Sequence, residues 1–348
     1  MKTLKADRIM NHFPTLIISL YLIIMLLLAL KTGISFSGIF NESLVKWGMN
    51  AIFVISLIPM INCGIGLNFG MSIGISAGII GMCIALQLNM SGLTGLMAAV
   101  FFSAVCSIAF GYGYAKIINR LKGKEDIASV FIGYAFVPLM NIFWIIAPFT
   151  NRKMLYPVGG KGLRPKINLA DNFGGVLDSF MMIGNGKFYI PLGLIAFVSV
   201  IALLVHFIAD TKMGREMSAV RENIKFAYIS GINIDRTRTK AVIISTLIAA
   251  IGICVYSQSF GFVQLYDGTR MMVFPAISAI LIGGGTGRKS SVINAVAGTY
   301  LYQMVFLLSV PVANTLLVPE LAEIVRMIIT NSIILFAFLW KRKGVVTQ

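Results

Sequence analysis

Residue types that carry out enzyme chemistry are few in this sequence and are not clustered. His12 and His206 lie at the ends of apolar segments, with no carboxylate pair and no metal-ligating group beside them. The glycine-rich stretch 283–287 (GGGTG) lacks the Lys-Ser/Thr of a phosphate-binding loop, and no strand is predicted before it. The cysteines lack metal-ligand spacing and lie in apolar runs, as small packing residues do: Cys63, Cys83, Cys106 and Cys254. The sequence therefore predicts no enzyme, no metal and no cofactor bound by this chain.

Charged side chains are excluded from the centres of the long apolar segments. The nearest carboxylates lie at segment edges: Asp210, Asp267, Glu320 and Glu323. A charged side chain at mid-bilayer costs about 2.5–3.5 kcal/mol on insertion scales, so ion-coupled carriers keep such residues for function. This pattern argues against a proton-coupled carrier, although a sodium site made of hydroxyl and carbonyl oxygens stays open.

A solute path through such a protein would be lined by neutral polar and aromatic side chains. Two groups of these interrupt the apolar runs. The candidates are Asn62, Asn68, Phe69 and Ser72 in the first half, and Ser257, Gln258, Phe274 and Ser278 in the second. The alternative is ordinary helix packing, because small and hydroxyl residues are the usual contacts between membrane helices.

A polar island at 214–234 (GREMSAVRENIKFAYISGINI) separates the two halves of the chain. Apolar residues recur there at spacings of three and four, which predicts one short helix with an apolar stripe. The stripe residues are Met217, Val220, Ile224 and Ala227. Glu222 is placed to pair with Lys225 one turn on, and Gly231 suits the position after the helix end. The alternative is a charged loop that only orients the neighbouring spans.

The composition of the chain is that of a membrane protein. Of 348 residues, 57% are hydrophobic and only 12% are charged, and the mean hydropathy is +0.87. A soluble domain has about a quarter of its residues charged. The net charge of +16 indicates basic inner loops that face anionic lipid, rather than a nucleic acid partner. The basic N-terminus leads into an apolar run without a small-residue cleavage site, which predicts an uncleaved first span.

Ten apolar segments are long enough to cross the bilayer, which takes about 20 residues per helix. We therefore expect an all-α membrane protein, with one transmembrane domain over 1–348. Both termini are expected in the cytoplasm, because each short inner segment is basic. The predicted spans are 14–31, 47–63, 67–88, 93–116, 127–149, 188–208, 240–260, 272–285, 291–311 and 322–340.

The segments between the spans carry most of the charge. Residues 209–239 form the main cytoplasmic loop, and short outer loops are expected around Glu42 and Lys46 and at 261–270 (GFVQLYDGTR). The longest polar segment, 150–187, is predicted outside although it is cationic. Its charged residues are Arg152, Lys153, Lys161, Arg164, Lys166 and Lys187, against Asp171 and Asp178. Long loops translocate largely regardless of charge, so these cations are either tolerated or form a rim that attracts a partner.

A weak internal symmetry relates two four-helix blocks, 47–149 and 240–340. The first block starts from the outside and the second from the inside. Each has a glycine-rich element near its second span, at 64–78 (GIGLNFGMSIGISAG) and 275–287 (PAISAILIGGGTG). Opposite orientation predicts inverted repeats with the path between them. The alternative is that glycine is simply common in membrane helices.

The island and both glycine-rich elements resemble segments of the permease subunits of ABC importers in the ribose, nucleoside and branched-chain amino acid group. The cytoplasmic loop of that family has a Gly-Arg start, an Arg-acidic-Asn core, alanines and a closing Gly-Ile-Asn. The matching residues here are Gly214, Arg215, Arg221, Glu222, Asn223, Ala227, Gly231, Ile232 and Asn233.

The glycine-rich elements match the sugar permeases less completely. The first resembles Gly-Ile-Asp-Leu-Ser-Val-Gly-Ser through Gly64, Ile65, Leu67 and Gly70. It departs from that pattern at Gly66, Asn68 and Met71, so the solute stays unspecified. The later block matches through Ala276, Ile277, Ala279, Gly283, Gly284, Gly298 and Thr299.

The resemblance covers about 47–340 and implies a set of partners. In that family a coupling helix of the cytoplasmic loop docks in a groove of a separate ATPase subunit, which binds ATP and Mg²⁺. The implied ATPase-docking residues are Gly214, Arg215, Arg221, Glu222, Asn223, Ala227 and Gly231. An extracytoplasmic solute-binding protein would dock on Arg152, Lys153, Lys161, Arg164 and Lys166. A second permease subunit, either the same chain or a paralogue, would complete a path at the dimer interface.

The function that the resemblance implies is ATP-driven import of a small polar solute through the bacterial cytoplasmic membrane, by alternating access. A monosaccharide, pentose or hexose, is the first choice of solute and a nucleoside the second. The alternative is an ion-coupled secondary carrier or a channel without an ATPase partner. A membrane scaffold without transport is a third option.

Overall fold

The computed structural model describes residues 2–31, 33, 35–156, 162–184, 188–266, 268–285 and 289–316, with isolated helical residues at 324, 328 and 332. Some predictions fall outside the described residues: the tenth span at 322–340, apart from those isolated positions, and the cations Lys161 and Lys187. Within the described part of the chain, helices dominate and the strands have three residues each.

Among the described helices, eight precede the polar island, two form it and four follow it. The helices are α1 (Lys2–Lys31), α2 (Phe36–Ser56), α3 (Ile58–Asn62), α4 (Met71–Gln87), α5 (Gly92–Arg120), α6 (Glu125–Ile146), α7 (Val176–Ser179), α8 (Leu192–Asp210), α9 (Lys212–Glu222), α10 (Ile224–Ile229), α11 (Ile234–Phe260), α12 (Gly268–Met271), α13 (Val273–Ile282) and α14 (Val292–Leu316). The strands are β1 (Lys166–Asn168), β2 (Met182–Gly184), β3 (Tyr189–Pro191) and β4 (Phe262–Gln264).

Six helical segments in the described chain are long and apolar enough to cross a membrane. They are Phe36–Asn62, Gly92–Arg120, Glu125–Ile146, Leu192–Asp210, Ile234–Phe260 and Val292–Ser309. Shorter apolar helices cover Thr15–Lys31, Met71–Gln87 and Gly268–Ile282. The prediction of a mostly helical, multi-pass membrane protein is confirmed at this level.

Helix α2 begins well before the predicted second span. The sequence pattern placed Glu42 and Lys46 in a short outer loop, but both lie inside α2, which starts at Phe36 with Ser35 as its N-cap. Their charges are four residues apart and face each other at 3.8 Å across one helical turn. Such a pair stabilises a helix instead of interrupting it, so the loop prediction was wrong.

Helix α11 lies at the centre of the bundle, packed on α2, α4 and α5. Its contact with α4 depends on glycine. A Cβ on Gly74 would lie 2.6 Å from the carbonyl oxygen of Thr246, and one on Gly78 would lie 2.2 Å from Cγ2 of Ile253. Membrane helices pack this closely because van der Waals contact holds them together where water is absent.

The helix ends form two opposite faces of the bundle. One face, the α9–α10 end, also carries the turn after α3, where Asn62 donates to the Ser290 carbonyl at 2.9 Å. Asn62 shares a small cavity there with Gly214 and Met217 of α9. Thr15 of α1 donates to the carbonyl oxygen of Ile282 at 2.6 Å, at the end of α13. Thr15 of α1, the end of α3 and the end of α13 therefore lie at the same end of the bundle.

The opposite face is a packed cap formed by the described residues of 150–184 together with 262–266. Strand β1 pairs antiparallel with β4, and β2 pairs antiparallel with β3. Ile167 and Phe173 are fully buried beneath these strands and α7. The polar segment that the sequence predicted as a long loop is therefore an ordered layer with its own apolar contacts.

The second helix of the later block is much shorter than the predicted span at 272–285. Helix α13 has ten residues, which is about 15 Å, or half the thickness of a 30 Å hydrocarbon core. The short α12 precedes it, and Ser72 in the first turn of α4 donates to the Thr269 carbonyl there at 3.3 Å. Gly268 and Thr269, near the end of the predicted outer loop 261–270, are therefore buried against the bundle, which corrects that prediction.

Candidate functional site

The polar island forms two helices and not the single predicted helix. Helix α9 starts at Thr211, whose hydroxyl accepts from the Gly214 N–H at 3.4 Å. Asn223 has extended backbone dihedrals and ends α9. It also caps α10, because its Oδ1 accepts from the Phe226 N–H at 3.0 Å. Asparagine is among the preferred N-cap residues, and this signal was present in the sequence. The single-helix prediction was therefore wrong at Asn223.

The buried and exposed faces of these helices differ in part from the predicted stripe. Met217, Val220 and Ala227 are buried as expected, whereas Ile224 is 53% exposed. Four large apolar side chains, each more than half exposed, define the α10 surface: Ile224, Phe226, Tyr228 and Ile229. A six-residue helix with this surface, on an otherwise polar segment, has the composition of a protein contact site.

The end of α10 is held by a Schellman motif. Gly231 has a φ of 78° and its N–H donates to the Tyr228 carbonyl at 3.0 Å. The Ile232 N–H donates to the Ala227 carbonyl, also at 3.0 Å. This is the arrangement in which a glycine follows the helix end, so the prediction for Gly231 is confirmed. Because Ala227 is fully buried, α10 is fixed to the bundle on one side and exposed on the other.

Arg221 and Glu222 point in different directions. The Arg221 side chain is 13% exposed and the Glu222 side chain 73%, with 3.0 Å between Nη2 and Oε1. The predicted pair of Glu222 with Lys225 is not formed among the described ion pairs. The backbone of Arg221 lies against the turn after α3, since a Cβ on Gly64 would lie 2.9 Å from its Cα. Arg215 is exposed on the outer side of α9.

The 64–70 loop connects α9 to the interior of the bundle. The Leu67 N–H donates to Oδ1 of Asp126 at 3.1 Å. Asn68 is fully buried; it donates to Ser245 Oγ at 2.9 Å and accepts from the Tyr114 hydroxyl at 3.1 Å. The structure thus places this predicted path residue in a polar network between α5 and α11.

Three other predicted path residues are buried in the bundle. Gln258 accepts from the Leu177 N–H at 3.1 Å and so attaches α7 of the cap to the end of α11. Ser257, its neighbour, is 1% exposed. Ser278 donates to the Phe274 carbonyl at 2.7 Å, within α13.

Of the remaining predicted path residues, Asn62 lies apart at the α9–α10 end, and the other three lie together in one cleft. Phe69, Ser72 and Phe274 line it with Gly133 and Val273 and with two residues that the sequence reading did not select, Tyr134 and Arg270. We call this the α12 cleft. The rings of Phe69 and Phe274 meet edge to face, with centroids 6.0 Å apart. The guanidinium carbon of Arg270 lies over the Tyr134 ring, 5.8 Å from its centroid. As it stands, the cleft has room for about one water molecule.

Arg270 was missed because the sequence placed it at the end of an outer loop. Arg270 is not surrounded by an apolar run. A hydrogen bond from the Ser72 side chain to the Thr269 backbone carbonyl places α12 against α4, and no sequence pattern predicts such a contact. The signal that could have found it is the shortness of the apolar run from Met271 to Ile282, which is too brief for a complete span.

A buried ion pair ties three helices together at the α9–α10 end. The Arg238 side chain on α11 is 3% exposed and pairs with Glu125 in the first turn of α6, which is 14% exposed. Arg238 Nε also donates to Asn119 Oδ1 on α5 at 3.1 Å. The described residues contain no group of three His, Cys, Asp or Glu side chains that could hold a metal ion.

The cations of the cap have different roles. Lys153 pairs with Asp171 at 3.3 Å, and Arg164 donates from Nε to the Leu155 carbonyl. Arg152 and Lys166 are exposed and form no ion pair with a described residue. Burial raises the pKa of the Asp178 carboxyl above its usual value, although a hydrogen bond from Ser259 at 2.9 Å opposes this effect. The charge that faces outward from the described cap is therefore mainly positive.

The described chain is a multi-pass helical bundle with a cleft lined mainly by aromatic side chains and with an exposed apolar helix, α10. The model of the family described as branched-chain amino acid transport system / permease component matches residues 39–335. The chain belongs to that family of ABC-type permeases. The match confirms the resemblance seen in the sequence and indicates an inner-membrane protein.

The names of the curated relatives include two classes of solute, branched-chain amino acids and galactosides. The high-affinity branched-chain amino acid transport system permease protein LivH of Salmonella typhimurium is 25% identical over 236 residues, which is 66% of this chain and 71% of that protein. The Escherichia coli K12 LivH protein is 32% identical over 91 residues, 26% of this chain and 29% of that protein. The galactose/methyl galactoside import permease protein MglC of Haemophilus influenzae is 25% identical over 280 residues, 78% of this chain and 77% of that protein.

Proposed function

We propose that this chain is the transmembrane permease subunit of an ATP-driven ABC importer. It lies in the bacterial cytoplasmic membrane with both termini inside. The observation that carries the proposal is the α10 surface: a short helix, fixed at both ends by capping, that presents Phe226 and Ile229 to the outside of the bundle. Rigid aromatic and branched side chains of this kind are the usual anchors of a protein interface.

The partner at the α10 surface is the ATPase subunit, which binds ATP and Mg²⁺. Helix α9 would transmit the movement of α10, because its inner face packs on the turn after α3 and on α11. Arg221 lies against Gly64, at the start of the loop that reaches Phe69 in the α12 cleft. A shift of the coupling helices would therefore alter the wall of the cleft, which is what alternating access requires.

The ten-span topology and the inverted blocks belong to this proposal. In support, the first helix of each block packs into the other block: α2 contacts α13 and α14, and α11 contacts α4 and α5. Matching helices also run in opposite directions. Helix α2 starts near the cap, where Asn41 accepts from Tyr189, whereas α11 ends there at β4. A second permease subunit, identical or paralogous, would complete the path at the dimer interface.

The solute is a small polar molecule. A monosaccharide, pentose or hexose, is the first proposal and a nucleoside the second. The name of MglC supports a sugar, and the name of LivH keeps an amino acid among the choices. Aromatic rings of the α12 cleft, Phe69, Tyr134 and Phe274, suit the apolar face of a sugar ring, and Ser72 supplies a hydroxyl.

The solute-binding protein would dock on the cap. Arg152 and Lys166 are free of ion pairs within the described chain, so their charge is available for a partner with surface carboxylates. Exposed pairs contribute about 0.2–1 kcal/mol each, so we expect these cations to accelerate encounter together without dominating affinity.

The described lining of the α12 cleft provides no group that could relay a proton for the alternative, an ion-coupled carrier. The centres of the predicted spans hold no charge, but Arg270, just before the predicted eighth span, lines the α12 cleft. Arginine is not deprotonated in proteins, however, and so it cannot relay the proton of a proton-coupled carrier. Among the described residues of the cleft, no carboxylate or histidine is present.

Purification with the cognate ATPase and binding protein tests the proposed function. In nanodiscs, the complex is expected to hydrolyse ATP faster when the binding protein carries its solute than when it is empty. This chain alone is expected to hydrolyse none. Failure of any ATPase to assemble with the chain would reject the proposal.

A further inference from the structure

Arg270 lies beside the middle of α6, a candidate membrane-spanning helix, where a charge is costly. Its contact is Tyr134 of α6, a helix that runs from Glu125 to Ile146 and is a candidate span. Tyr134 is about 14 Å from the first residue of α6 and about 18 Å from the last, at 1.5 Å per residue. The hydrocarbon core is about 30 Å thick. The guanidinium group is therefore far from both membrane surfaces.

Snorkelling to a headgroup does not explain this position. A side chain that snorkels directs its charge towards the nearer interface, whereas Arg270 directs its guanidinium over a ring at the centre of α6. The residue is nevertheless exposed on the surface of the single subunit. Intramembrane arginines almost always face a bundle interior or a water-filled cavity. The face that carries Arg270 must therefore border the solute path or a second subunit that encloses it.

The charge of Arg270 is not neutralised within the described chain. It forms no ion pair and donates no hydrogen bond to a described residue, and its one described contact is the Tyr134 ring. The first residue of α13, Val273, lines the same cleft, so the partial positive charge at the start of that helix has the same sign. The α12 cleft thus has a positive potential with no described anion to balance it.

The cleft is also built from a broken helix, as transporter binding sites often are. Chain segments from both blocks meet there: Phe69 comes from the loop before α4 and Ser72 from the first turn of α4, whereas Arg270 and Phe274 come from α12 and α13. In transporters, discontinuous helices near the bilayer centre form the substrate site, and their positive ends bind anionic groups. An aromatic wall beside one arginine would hold a small ring or side chain and pair with an anion.

We propose that Arg270 binds a carboxylate of the transported solute, so that the importer carries a small carboxylate-bearing molecule and not a neutral sugar or nucleoside. The proposal rests on the importer function proposed above and replaces the neutral sugar and nucleoside given there as solutes. Arginine is suited to this role because its planar fork of N–H donors matches a carboxylate in a bidentate pair. Two classes of small solute carry such a carboxylate, sugar acids and amino acids.

Uptake by the complete complex tests this assignment. Proteoliposomes containing the chain, its ATPase and its binding protein would be given labelled galacturonate, leucine, galactose and ribose. We expect uptake of one of the two carboxylate probes, and the probe taken up identifies the source. Arg270→Gln is expected to reduce that uptake at least about tenfold, the typical size of a lost charged hydrogen bond. Arg270→Lys should fall between the two, because it keeps the charge and loses the fork.

A matched control is offered by Lys116, an exposed cation over the ring of Tyr112 on α5 at 4.6 Å from the centroid. Lys116→Gln removes the same charge from a similar aromatic contact and should leave uptake unchanged. Uptake of neither carboxylate probe by a complex that hydrolyses ATP would overturn the assignment, as would equal carboxylate uptake by Arg270→Gln and the unaltered chain. A chain that assembles with no ATPase would instead reject the proposed function itself.

Discussion

Replacement of Phe226 and Ile229 by alanine is expected to separate the permease from its ATPase without unfolding it. Both side chains are more than 60% exposed, so their removal leaves no internal cavity. Anchors of a protein interface typically lose 2 kcal/mol or more on truncation. The double variant should therefore bind the ATPase at least about 30-fold more weakly, as measured by the dissociation constant for the two proteins in nanodiscs.

The control for this variant removes the same side chains from another exposed surface. Phe101 and Ile108 are exposed on α5, a candidate membrane span away from α10. Phe101→Ala with Ile108→Ala should leave ATPase binding as it is in the unaltered chain. Equal ATPase binding by both double variants would show that α10 is not part of the ATPase interface, and the proposed function would lose the observation that carries it.

Loss of the buried Glu125 carboxylate is expected to destabilise the permease strongly. Glu125→Ala leaves the Arg238 guanidinium, 3% exposed, without its ionic partner beside α5 and α6. Breaking a buried ion pair by removing one member typically costs about 3–5 kcal/mol, because the other charge stays buried. The free energy of unfolding in mixed detergent micelles, measured by titration with SDS, should fall by about this amount.

A neighbouring exposed pair supplies the comparison. Lys122 and Asp235 lie 2.6 Å apart with side chains 52% and 62% exposed, near the same ends of α5 and α11. Lys122→Ala should change the unfolding free energy by about 0–1 kcal/mol, because water screens such pairs. Similar losses in Glu125→Ala and Lys122→Ala would mean that burial of the Arg238 pair contributes little.

Features set by long apolar runs were accessible from sequence. The core positions of α5, α6, α8 and α11 agree with predicted spans to within several residues, because about 20 apolar residues have few alternatives to a membrane helix. Gly231 was also assigned correctly, since its role follows from local backbone geometry. In both cases the determining interactions lie within one segment of the chain.

Features that depend on contacts between distant segments were missed. The hydrogen bonds of Asn68 to Tyr114 on α5 and to Ser245 on α11 were not predicted, because no local sequence pattern indicates contacts between such distant residues. Arg270 was placed outside because periodicity does not show that α12 folds back against α4. Glu42 and Lys46 were taken as a loop because charge was given more weight than their helical spacing.

Uptake into proteoliposomes under controlled energy sources is the most direct test of the claim that ATP on a separate subunit drives transport through this chain. With the ATPase and the binding protein present, uptake should require ATP and should continue when ionophores dissipate the proton and sodium gradients. This chain alone should take up no solute under either gradient. Uptake by the chain alone, driven by a proton or sodium gradient, would contradict the account.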